Sequence, residues 1–168
     1  MHIKTRQISL SALFLALCVL VPIVFHILGL GRLFLPIFLP ILLAGFVLDF
    51  PYAILVGLAG PWVSALITGM PPLFPTAVIM SVEGMTAASI ISYFYKKRKS
   101  NFWVCLISAL VGERVAYVLM LFVFLPLLGF PAVAVTIGAI VSLPGIALQG
   151  VLIPLILSAL KKRNVIYL

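Results

Sequence analysis

Residues 76–99 read TAVIMSVEGMTAASIISYFYKKRK, and this stretch decides what the rest of the chain can be. Its first part, 76–95, is an apolar run matching the roughly 20 residues that a helix needs to cross a bilayer core. It closes on Lys96, Lys97, Arg98 and Lys99, with Tyr93 and Tyr95 just before them. Aromatic rings followed by cations mark the cytoplasmic end of a membrane span. One acid, Glu83, lies inside the run. An ionisable group in a span costs on the order of 2.5–3.5 kcal/mol on insertion scales, so its presence needs a reason.

The rest of the 168 residues has the same character. Hydrophobic residues make up 65% of the chain and charged ones 8%, and mean hydropathy is +1.37. Soluble domains carry about 25% charge, and a sphere of this size could not hide so much apolar surface. Disordered chains are polar and charge-rich, so they are excluded too. Lys plus Arg number 11 against 3 acids, a net charge of +8. A basic balance can suggest nucleic acid, but the apolar content points to lipid instead. Cys18 and Cys105 lie far apart in separate apolar runs, so neither a disulfide framework nor a metal cluster is indicated.

Working outward, apolar runs bounded by turn signals predict helices over 8–28, 33–48, 52–68, 76–95, 102–128 and 144–160. A lead-in segment at 132–143 precedes the last, too short to cross alone. The expected fold is all-α and polytopic: six transmembrane helices in one bundle, with residues 1–168 as a single domain. Both termini are placed in the cytoplasm, because Lys4, Arg6, Lys96, Lys97, Arg98, Lys99, Lys161, Lys162 and Arg163 then all lie inside. Only Arg32 falls outside, and Arg114 within a span. Tyr52 and Trp103 also fall at inner span ends. The basic amino terminus and first apolar run resemble a signal peptide but lack a small-residue cleavage site, so a retained helix is expected.

Polar residues inside the spans are the functional candidates. Glu83 lies about seven residues, or roughly 10 Å, from the outer end of its helix. Glu113 and Arg114 sit near the middle of the fifth span; adjacent positions differ by about 100°, so they cannot both face one site squarely. Glu83 and Arg114 either form an interhelical ion pair that fixes packing or touch a ligand. Gln149 either reads a solute or bonds a backbone carbonyl across helices. Trp62 follows Pro61 at a kink and either stacks on a planar ligand or packs in the bundle. His26 and Arg32 flank the first outer loop and serve as ligand contacts or face water. Ala53 and Gly57, Gly60 and Ser64, and Gly84 and Ala88 repeat small residues four apart, the spacing for close helix packing in lipid. Prolines 22, 36, 40, 61, 126 and 154 fall inside spans, where broken helices often line a solute cavity.

The chain contains no GxxxxGK[ST], HExxH or GxSxG string, so it lacks the parts of a P-loop ATPase or of the hydrolases those motifs mark. Neither an enzyme nor a cofactor is expected.

Six spans in so short a chain, basic inner ends and the AxxxA of Ala12-Leu13-Phe14-Leu15-Ala16 resemble the S components of energy-coupling factor (ECF) transporters. GRLFLP at 31–36, LLAGFVL at 42–48, TGMPP at 68–72 and LPGIALQ at 143–149 are similar to one branch of that family. Asp49-Phe50-Pro51 departs from it, standing where a Gly-containing turn is expected. The resemblance implies a plasma-membrane subunit that captures a vitamin or vitamin precursor from outside. It would deliver this through a transmembrane coupling subunit driven by two cytoplasmic ATPases. The resemblance also implies a ligand site in the outer half, a region that here contains His26, Arg32, Glu83, Arg114 and Gln149, and makes Ala12 and Ala16 the docking surface for the coupling subunit. The residues alone permit a zwitterion, a weak base or a neutral heterocycle, with a small pyrimidine or pyridine as the expectation. A stand-alone channel or facilitator lined by Glu83 and Arg114 is the competing reading.

Overall fold

A computed structural model describes residues 2–127, 129 and 143–162. Its helices start and stop where backbone chemistry requires. α1 runs His2–Ile27 with Pro22 inside it. α4, Phe50–Thr68, follows an extended Asp49 and has a proline in its first turn, where a missing N–H costs nothing. It ends at Gly69, whose φ of 73° is the left-handed conformation glycine adopts freely. The hydroxyls of Ser64 and Thr68 both donate to the Met70 carbonyl, at 2.8 and 3.0 Å, and so satisfy the exit.

α5, Val78–Ser92, is preceded by Leu73–Ala77, where Phe74 is extended (φ −130°, ψ 138°), and is followed by a π-helical turn at Tyr93–Lys97. α6, Phe102–Leu119, starts at Asn101, whose side chain accepts the Trp103 N–H at 3.1 Å. It continues through a π-helical turn to Leu127. α7 is Leu143–Lys162. No strand occurs among the described residues.

The stretch 33–48, expected as one span, is instead two helices: α2, Gly31–Phe34, and α3, Phe38–Val47. Pro36 is the cause, because its ring disfavours helical geometry at the residue before it. Leu35 turns left-handed there, with φ 42° and ψ 55°. At 10 residues, α3 rises about 15 Å, half the thickness of a bilayer core. All its residues are buried, so α3 is a core helix wrapped by its neighbours.

Four stretches are long and apolar enough to cross a membrane: Lys4–Ile27, Phe50–Thr68, Leu73–Lys97 and Phe102–Leu127. The apolar helices Phe38–Val47 and Pro144–Leu160 are shorter. All of the lead-in expected at 132–143 except its last residue, Leu143, and the cation expected at Arg163 lie outside the described residues.

α5 is the centre of the packing, lying against α3, α4 and α6. Small residues let these backbones touch. A Cβ added to Gly84 would sit 2.7 Å from the Gly57 carbonyl oxygen, and one on Gly45 would sit 2.9 Å from Ile91 Cβ. This is how helices associate in lipid, where apolar burial alone gives little drive. The outward faces carry apolar stripes at helical spacing, such as Leu55, Leu58, Trp62 and Leu66 on α4 and Ile107, Val111, Val115, Val118 and Phe122 on α6. Helices apolar on every side are stable in a bilayer, not in water. The chain is a membrane protein.

One end of the bundle is tied by polar contacts. Gln7 Oε1 accepts the Asp49 N–H at 3.2 Å, and Lys96 Nζ donates to Val47 O at 2.6 Å and pairs with Asp49 Oδ1 at 2.9 Å. Ser92 Oγ donates to Leu48 O at 3.2 Å. The start of α1, the α3–α4 corner and the end of α5 therefore meet beside the basic run. Asp49 is the acid that holds them.

Candidate functional site

Most polar side chains in the spans satisfy themselves. Ser81, Thr86, Ser89 and Ser108 each donate back to the carbonyl four residues earlier, at 2.6–2.7 Å. A carboxylate has no proton to donate that way, so Glu83 must find a partner on another helix. It lies on the buried stripe of α5 with Ile79, Met80, Gly84, Ala87 and Ala88. The antiparallel neighbour α6 supplies the partner: Arg114 Nη2 donates to Glu83 Oε1 at 2.7 Å. Glu83 is 2% exposed, and the Arg114 side chain 22%.

The same guanidinium nitrogen lies 3.5 Å from Glu113 Oε1, close enough for an ion pair but too long for a good hydrogen bond. Neighbouring positions on a helix point about 100° apart, yet the long arginine stem lets its head come back beside Glu113. Arg114 Cζ also stands 5.5 Å from the centroid of the Tyr117 ring, a cation–π contact one turn along α6. Glu113 itself is fully buried, on the inward stripe of α6 with Leu106, Ala109, Ala116 and Tyr117. Neither of its oxygens has a hydrogen-bond partner among the described residues. The cluster thus holds two acids and one base in apolar surroundings. Next to it lies a small apolar group of Ile79, Tyr117, Leu121 and Leu125.

Sequence reasoning brings forward Glu83, Glu113 and Arg114 but leaves open which of positions 113 and 114 turns inward, because an apolar helix gives no sign of its buried face. The signal available was spacing: Leu106, Ala109, Glu113 and Tyr117 follow the three-and-four rhythm of one face.

Gln149 is likewise fully buried, and both ends of its amide lack a hydrogen-bond partner among the described residues. Its helix, α7, packs on α2 and α3, with Gly145 against the Phe34 backbone. Trp62 does not form the aromatic wall expected of it. It is 38% exposed and shares the outward face of α4 with Leu58 and Leu66, one turn to either side, while Gly57, Gly60 and Ser64 face the core. His26 is exposed; its Nδ1 donates to the Pro22 carbonyl at 2.7 Å, and its ring lies against Gly31 where α1 meets α2. Arg32 is in α2, with its side chain outside the described residues.

Ala12 and Ala16 are exposed on α1, on a face shared with Ile8, Leu20 and Ile27, while Phe14 and Cys18 point into the core. The other small pairs are spent inside: Ala53, Gly57, Gly60 and Ser64 are all buried on α4. At the basic end a pocket of about 380 Å³ is lined by Asp49, Phe50, Ser92, Tyr93, Lys96 and Lys97.

No curated protein and no solved structure matches the chain. The family model described as "ECF transporter, substrate-specific component" matches residues 6–157, which reaches into every helix described above. That is a family of transport-binding subunits, not of enzymes. The chain belongs to the substrate-specific components of ECF transporters.

Proposed function

We propose that this chain captures a vitamin or vitamin precursor outside the cell and hands it to a coupling subunit energised by two cytoplasmic ATPases. It sits in the plasma membrane with both termini inside, as a single domain crossing six times with α3 and α7 completing the bundle. The observation that carries the reading is the buried Glu83–Arg114 pair. Charges at that depth persist only when paired, hydrated or occupied, and this family binds solutes. Glu83, Arg114 and Gln149 supply the polar contacts of the site, and His26 and Arg32 guard its mouth. Of the expected contact residues Trp62 is the one the geometry disfavours. The free Ala12–Ala16 face fits a docking role, since two small side chains four apart leave a shallow groove for a partner helix.

Two measurements test this. Native mass spectrometry of the purified chain should find one small molecule retained, and uptake into cells or liposomes should require the coupling subunit and ATPases. Solute flux through the chain alone would support a facilitator instead. Ala16→Trp should abolish complex formation while leaving the retained molecule in place; an unchanged pull-down sinks the docking assignment.

A further inference from the structure

We propose that Glu113 is the acid that contacts the bound molecule, and that this molecule presents a cationic or N–H-donating nitrogen to it. The inference rests on the reading that the chain binds a small solute at this cluster. Its argument is an inventory of donors and acceptors. The Arg114 guanidinium meets Glu83 at 2.7 Å and Glu113 only at 3.5 Å. A carboxylate offers about four acceptor sites, and no hydrogen bond fills either oxygen of Glu113 among the described residues. The hydroxyls of Ser81, Thr86 and Ser108 are turned back on their own backbones. The described residues therefore leave Glu113 short of donors in a place where its exposure is zero, and buried acceptors in stable structures are filled.

Charge points the same way. Glu83 and Glu113 against Arg114 leave the cluster one negative charge in excess when both acids are ionised. A carboxylate or phosphate solute would add a third anion to a site whose guanidinium is already engaged. An amine, amidine or protonated ring nitrogen would balance the excess and fill the empty acceptors at once. Complementarity of this kind selects partners chiefly by penalising the wrong sign. The cluster thus favours basic or N–H-donating nitrogen compounds and rejects organic anions.

Native mass spectrometry on the wild-type chain and on Glu113→Gln, both purified from the same cells, reads the identity and the occupancy of the retained molecule. The expected molecule is basic or rich in N–H donors, and its affinity falls about tenfold to a hundredfold in Glu113→Gln. Thermal unfolding of that variant should stay at or above the wild-type temperature, because the change removes a surplus buried charge. Equal occupancy in the two proteins, or a retained anion without N–H donors, overturns the proposal and leaves the binding reading standing. An empty wild-type protein overturns the binding reading itself. Should Glu113→Gln fail to fold, the chemistry of the molecule held by the wild-type chain decides alone.

Discussion

The helical stretch Leu73–Lys97 carries two ion pairs that look alike and do different things. Glu83 meets Arg114 at 2.7 Å; Lys96 meets Asp49 at 2.9 Å. The first is nearly sealed, with Glu83 at 3% side-chain exposure, and has a second acid beside it. The second is open, with Lys96 and Asp49 at 29% and 49%, and its groups are served from all sides by Val47 O and Gln7. An exposed pair is worth about 0–1 kcal/mol. A buried one can cost more in desolvation than attraction returns, and replacing it with apolar residues often stabilises a protein. The open pair ties three elements at one end of the bundle. The sealed pair is a costly structural tie, which fits the binding role proposed for it.

The largest effect should follow from Arg114→Met. It strands Glu83 and Glu113 together without a counter-charge, and breaking a buried pair costs about 3–5 kcal/mol. Glu83→Gln should cost less, because the guanidinium keeps Glu113 at 3.5 Å. Replacing Glu83 and Glu113 by Gln and Arg114 by Met together should restore most of the stability and none of the solute binding. Chemical unfolding in detergent, beside solute titration, reads both. Equal losses for the two single variants would remove Glu113 from the charge balance, and binding by the triple variant would reduce the cluster to packing.

Gln149 sharpens the comparison with no charge at all. Its amide is buried and unbonded among the described residues, so Gln149→Leu should stabilise the fold by about 1 kcal/mol, since an unsatisfied polar group is removed. The same change should weaken solute binding about tenfold, the loss of one hydrogen-bonding partner. A destabilised variant with unchanged affinity would make Gln149 a packing residue.

How much of this was legible in the sequence differs between the regions. Helices α4, α5 and α6 were readable because Asp49-Phe50-Pro51, Gly69 and the basic run end them by local chemistry. The break at Leu35 was not, although Pro36 marks it: other prolines, such as Pro22 and Pro61, continue inside helices, and only packing decides which proline breaks. Glu83 and Arg114 stood out because charges in a span are rare. Their pairing depends on the α5–α6 register, which no local pattern encodes. The outward placing of Trp62 and the inward placing of Glu113 were hidden for one shared reason: in helices apolar on every side, the residue pattern does not separate the face toward lipid from the face toward protein.

The smallest effect belongs to the open pair. Lys96→Met removes the contact to Asp49 and also the hydrogen bond that Lys96 gives the Val47 carbonyl near the end of α3. Because both sites are part-exposed, water can replace what is lost, and the cost should stay within about 1 kcal/mol. A double-mutant cycle of Lys96→Met with Asp49→Asn isolates the pair from the carbonyl contact. Its coupling should vanish near 1 M salt, where the Debye length shrinks to about 3 Å. The Glu83–Arg114 cycle run under the same conditions should keep most of its coupling, because few ions reach a sealed pair. Salt-insensitive coupling at Lys96–Asp49, or coupling there as large as at Glu83–Arg114, would break the distinction between the two pairs. Burial would then no longer separate a structural tie from the pair proposed to bind solute.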